Sequence, residues 1–77
     1  MFWKPVEKFT VASRKTGKQY SVVVDEQIRE NGMPGLRSCW MRDQELEELA
    51  DPLYRQNGED YNRISPRTPV SREPQMQ

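Results

Sequence analysis

The sequence predicts a small α+β domain: an antiparallel sheet of three to five strands, opened by a β-hairpin and packed against one short amphipathic helix. Three stretches carry that expectation. Residues 8–25, KFTVASRKTGKQYSVVVD, are two β-rich runs on either side of Thr16-Gly17. Residues 36–42, LRSCWMR, alternate in a third strand-like run. Residues 43–54, DQELEELADPLY, switch to helical spacing. A small, partly open β-barrel with a capping helix is the alternative arrangement of the same elements.

The hydrophobic pattern specifies a register for the hairpin. Setting Phe9 opposite Val24 places Val11 opposite Val22 and Ser13 opposite Tyr20, so Phe9, Val11, Tyr20, Val22 and Val24 share one face. Lys8 then faces Asp25, a favourable cross-strand pair. Threonine is poorly suited to the positive φ of a two-residue type I′ turn. A four-residue loop over Lys15–Lys18 avoids this by leaving the left-handed position to Gly17.

Residues 29–35, RENGMPG, are dense in turn formers and predict an exposed connection. In the strand that follows, alternation puts Leu36, Ser38 and Trp40 on one face and Arg37, Cys39 and Met41 on the other. Trp40, the largest apolar group there, is the expected core residue. Leu46, Leu49, Ala50 and Leu53 recur at i, i+3, i+4 and i+7, Asp43 can serve as N-cap, and Pro52 should end the helix near Ala50 or Asp51. Asn57-Gly58 fits a hairpin turn or a helix C-cap. The hairpin is preferred, because it sets Tyr54 against Tyr61 and Arg55 against Asp60.

Residues 1–64 thus form the expected single domain. Residues 65–77, SPRTPVSREPQMQ, hold three prolines and little apolar content, the composition of a disordered or extended tail. The whole chain of 77 residues is 34% hydrophobic, with a mean hydropathy of −1.03, which predicts a thin core. No apolar run nears the ~20 residues of a membrane helix, and the start, MFWKPVEKF, is too polar for a secretory signal. A cytoplasmic protein is expected.

The chain has one cysteine and no histidine. It therefore cannot form an internal disulfide, build a four-ligand Cys/His zinc site or use histidine in acid–base catalysis. No phosphate-binding glycine loop or calcium-loop spacing is present, and the expectation is a non-enzyme without catalytic residues, cofactor or metal. Cys39 lies between Arg37 and Arg42, which would favour a thiolate, but it lacks a base partner.

Charge is segregated although the net charge is zero. Residues 1–24 carry five basic side chains against Glu7, residues 25–60 four arginines against ten acids, and residues 61–77 three arginines against Glu73. Such polarity bears on partner choice. The expected function is a small interaction module, an adaptor, inhibitor or regulator that binds another protein; its size would suit a bacterial or phage accessory protein. Candidate partner-binding residues are the acidic stripe Glu45, Glu47, Glu48 and Asp51, and the terminal aromatic pair Phe2 and Trp3. The alternative is a nucleic-acid-binding protein using the basic hairpin tip, Arg14, Lys15 and Lys18. Its sequence pI of 6.2 argues for the first. A thin core with open edges also makes a homodimer a reasonable expectation.

Overall fold

In the computed structural model, which describes residues 2–70, the first alternating runs belong to a long hairpin of β1 (Phe2–Ser13) and β2 (Gln19–Ile28). Phe9 pairs with Val22 and Val11 with Tyr20, two residues from the expected register, and Lys8 lies opposite Val23 rather than Asp25. A two-residue shift leaves each side chain on its expected face. Ser13 explains the choice of turn. Its N–H donates to the Lys18 carbonyl at 2.8 Å, and its carbonyl accepts the Gly17 N–H at 2.9 Å. Its buried hydroxyl accepts the N–H groups of Lys15 and Thr16, both at 3.1 Å. The loop is therefore Arg14–Gly17, and Gly17 takes the left-handed conformation at φ +79°.

Five strands follow: β3 (Pro34–Met41), β4 (Gln44–Glu48), β5 (Leu53–Gln56), β6 (Glu59–Arg63) and the short β7 (Thr68–Pro69). All pairings are antiparallel. Sequential neighbours pair from β1 to β6, and β6 returns to β1, closing a six-stranded barrel. β7 is an extra strand on β1, beyond the point where β6 leaves it.

The fold is thus all-β, and the expected α+β class is wrong. The described residues contain no helix, so the barrel alternative was right about the barrel but not about a capping helix. The segment expected to be helical supplies β4, a turn and the start of β5. Only Leu46 of its apolar set is fully buried, with Leu49 and Leu53 half-buried and Ala50 exposed. Helical spacing is local, and one short helix gains little stability without a large apolar face to cover. Extended, the same residues pair Leu46 with Cys39 and Tyr54 with Glu48, and this satisfies the backbone of β3 and β5 at once. Arg42 and Asp43, at φ +53° and +64°, form the two-residue turn that makes this possible. Asp43 is therefore a turn residue and not a helix N-cap.

The face assignment of β3 is also reversed. Val24 pairs with Cys39 and Val23 with Trp40. Val22 and Val24 already face inward with Phe9 and Val11, so this register sends Cys39 and Met41 into the barrel and Trp40 out. Trp40 is 37% exposed and Leu36 67% exposed, whereas Cys39 is buried. Residue size did not decide the inward face; the neighbouring strand did.

The barrel interior holds Phe9, Val11, Val22, Val24, Cys39, Met41, Leu46, Tyr54 and Tyr61. Every strand from β1 to β6 contributes, and each large apolar side chain buried adds about 1.5–3 kcal/mol. The Phe9 and Tyr54 rings lie 5.3 Å apart, and Tyr20 meets Tyr61 edge-on at 5.8 Å. The β5–β6 hairpin forms as expected around Asn57-Gly58, with Tyr54 opposite Tyr61 and Arg55 opposite Asp60. Of the expected tail, residues 71–77 lie outside the described residues. Residues 65–70 run along β1: Ser65 Oγ accepts the Thr10 N–H at 2.8 Å, and the Val70 N–H donates to Val6 at 3.0 Å.

Candidate functional site

Two features of the folded chain present chemistry to solvent: a charged cluster at one mouth of the barrel and an apolar end of the β1–β2–β3 sheet. The charged cluster is built around Arg67. Its guanidinium donates to Glu48 at 2.9 Å and to the Tyr54 hydroxyl at 2.7 Å, approaches Glu7 at 3.4 Å, and lies 5.1 Å from the Phe9 ring centre. Glu7 also meets Arg37 at 3.6 Å, and Arg37 meets Glu26 at 3.7 Å. A cavity of about 560 Å³ adjoins this cluster, lined by Val24, Cys39 and Leu46 and by Arg37, Glu48 and Arg67. Burial pushes the Cys39 thiol above its ordinary pKa, and Glu48 adds to the shift while Arg67 opposes it. The thiol therefore stays protonated at neutral pH. The reactivity that two flanking arginines imply does not arise, because Arg42 belongs to the following turn and its guanidinium lies over the Tyr20 ring at 4.6 Å.

The apolar end is where β1, β2 and β3 extend past the barrel. Phe2 pairs with Ile28, and Ile28 with Pro34. Phe2, Trp3, Met33 and Leu36 are 58%, 46%, 56% and 67% exposed, a concentration of large apolar side chains within a few residues of that row. β3 pairs with β4 only through Cys39–Met41. Among the described residues no strand pairs with the other edge of Pro34–Ser38. No family model, no curated protein and no solved structure matches this chain.

The structure disperses the acidic stripe. Glu48 is held by Arg67, and Asp51 is gripped by Arg63 through two hydrogen bonds of 3.1 and 3.0 Å. That contact lowers the Asp51 carboxyl below its ordinary pKa. Glu47 lies opposite Arg55, and Glu45 lies opposite Trp40. Strand geometry thus divides four residues that helical spacing had gathered. Phe2 and Trp3 are exposed as a binding role requires. Arg14, Lys15 and Lys18 are exposed at the hairpin tip, but Arg14 and Lys15 share a shallow depression with Glu59 and Asp60.

Leu36 and Trp40 were expected on the core face and are on the surface, and Met33, exposed as its turn-rich segment predicts, was not marked as part of an apolar surface. Met33 and Leu36 carried no signal beyond hydrophobicity, and the sign of Trp40 depended on its register with β2. Arg67 stood in a proline-bearing segment with nothing to mark it as an anchor. Among the described residues no group of three or more His, Cys, Asp or Glu side chains is placed to hold a metal ion, and no helix is long and apolar enough to cross a membrane.

Proposed function

We propose that the chain is an interaction module that binds another protein through the exposed end of its β1–β2–β3 sheet. The observation that carries this reading is the β3 edge at Pro34–Ser38, which no other described strand pairs, with exposed Leu36 and Met33 on β3 and its approach and exposed Phe2 and Trp3 across β2 at the same end of the sheet. An open edge offers backbone donors and acceptors to an added strand, and flanking apolar side chains supply pockets and area. The partner this end suits is a protein with an extended, apolar segment. Glu59 and Asp60 beside the basic tip reduce the potential a phosphate backbone would meet, which favours protein over nucleic acid.

The test compares immobilised wild type with a Leu36→Asp, Met33→Ser variant in capture from the native host. A defined protein retained by wild type and lost from the variant is expected, together with no DNA or RNA binding at low salt. Unchanged capture by the variant overturns the assignment to this end. Nucleic-acid binding with a salt slope that flattens by about one per charge removed at Arg14, Lys15 or Lys18 would transfer the function to the tip.

A further inference from the structure

A second surface lies on the outer face of the barrel wall. Lys8 pairs with Val23, Val23 with Trp40 and Trp40 with Glu45, so these four residues form one row across β1, β2, β3 and β4. Paired residues point to the same side of a sheet, and this row points away from Val22, Val24, Cys39 and Met41 of the core. Val23 and Trp40 are each 37% exposed, although Trp40 is the kind of residue that a protein of this size gains most by covering. Lys8 and Glu45, both exposed, flank this apolar pair; Lys8 has Thr68 of β7 on its other side, and neither charged residue makes an ion pair with another described residue.

We infer that this row is the interface of a symmetric homodimer. Its order, cation, apolar, aromatic, anion, is self-complementary. A two-fold axis parallel to the strands, between Val23 and Trp40, lays a second copy face to face with its row reversed. Trp40 of each copy then covers Val23 of the other, and Lys8 of each meets Glu45 of the other, so both contacts occur twice. The neighbouring row obeys the same operation: Asp25 pairs with Ser38 within the chain, and the axis sets each opposite the other's counterpart as a hydroxyl–carboxylate contact. Facing sheets lie about 10 Å apart. The barrel wall is convex, so contact centres on the apolar pair, and the long Lys8 and Glu45 side chains reach across the wider gap at its ends. The zero net charge of the chain raises no general repulsion between copies. A standard interface takes about 800 Å² from each partner, roughly 15% of the 5275 Å² surface. The dimer borders the apolar end and shares Ser38 with the β3 edge, but Lys8, Val23, Trp40 and Glu45 have no part in the function proposed above, so variants at these positions test the dimer separately.

Sedimentation equilibrium in low-salt buffer, from micromolar to millimolar protein, tests it. Wild type should approach twice the 9.1 kDa chain mass. Lys8→Glu alone and Glu45→Lys alone should stay at the single-chain mass, because each sets like charges against one another twice. An equimolar mixture of the two variants should regain the doubled mass, since every cross-contact then pairs opposite charges. Trp40→Ala should stay single. Wild type at the single-chain mass throughout overturns the inference. So does a dimeric wild type whose single-charge variants remain dimeric, or whose mixed variants stay single while each retains the wild-type far-ultraviolet spectrum.

Discussion

The Arg67 guanidinium donates to the Tyr54 hydroxyl at 2.7 Å, tying a segment after the last barrel strand to a phenol whose ring is fully buried in the core. β7 itself contributes two residue pairs with β1, and the side-chain contacts of Arg67 add to the hydrogen bonds of Ser65 and Val70 in holding residues 65–70. Arg67→Ala leaves Tyr54 and Glu48 without this donor and should cost about 1–3 kcal/mol in urea unfolding. Arg67→Lys should recover only part, because an ammonium cannot reproduce the planar fork that reaches three acceptors. Equal stability of all three proteins would show that the tether carries no energy.

Gln56 closes a gap in the barrel wall. β4 and β5 pair only at Glu47–Arg55 and Glu48–Tyr54, and beyond that the buried Gln56 amide donates to the Met41 and Gln44 carbonyls at 3.0 and 3.1 Å. Gln56→Leu should lower stability by about 1–3 kcal/mol, because these carbonyls lose their donor. Gln56→Glu should be worse at neutral pH, where a carboxylate faces carbonyl oxygens, and should regain stability near pH 4 once protonated. A Gln56→Glu protein with a flat response across that range would contradict the geometry.

Alkaline pH should weaken the fold. Burial raises the pKa of Cys39 above the ordinary 9.0 and those of Tyr54 and Tyr61 above the ordinary 10.0. The folded chain therefore holds these protons to higher pH than the unfolded chain does. Their contribution is complete below about pH 8.5 and is lost as the pH rises through the folded values. Thermal unfolding from pH 7 to 11 should show the decline, with its earliest part absent in Cys39→Ala. The same thiol should resist alkylation under native conditions and react on unfolding.

Asp43→Gly should stabilise the protein by about 1 kcal/mol, because a left-handed conformation costs an L side chain roughly 1–2 kcal/mol and glycine almost nothing. At a helix N-cap the same change would cost a few tenths of a kcal/mol. The sign of the shift in Tm therefore separates the β3–β4 turn from a helix start.

Met41→Ala should cost about 2–5 kcal/mol, the range for emptying a buried site of this size. Trp40→Ala, one residue away, should cost well under that when measured on dilute, monomeric protein, because its side chain is on the outer face. The reverse order would restore Trp40 to the core.

Alternation was legible where polar and apolar residues took turns, and it placed Phe9, Val11, Val22 and Val24 together on one face. Asn57-Gly58 specified its own hairpin and, with it, the Tyr54–Tyr61 and Arg55–Asp60 pairs. The exposure of Phe2 and Trp3 was not legible, because a terminal aromatic pair fits equally well folded back over the open edge of a small core. Nor was the β3–β4 turn, because Arg42-Asp43 carries no turn signature, and the leucines that follow fit a helix by spacing alone. The Trp40 surface was hidden for a related reason: alternation divides a strand into two faces without saying which one is buried.

By itself the sequence determined local geometry: which residues alternate, where Gly17 and Gly58 allow the chain to reverse, and which chemistries the absence of histidine removes. Tertiary structure alone decided that residues 44–48 extend rather than coil, that Cys39 lies inside and Trp40 outside, and that Arg67 anchors the segment after β6. The physical reason is common to all three. Local pattern leaves two conformations or two faces close in energy, and the choice between them rests on backbone pairing with strands distant in sequence. Closing the barrel satisfies β5 and the Cys39–Met41 part of the β3 edge through β4, and the register of β3 against β2 then assigns each β3 side chain its side.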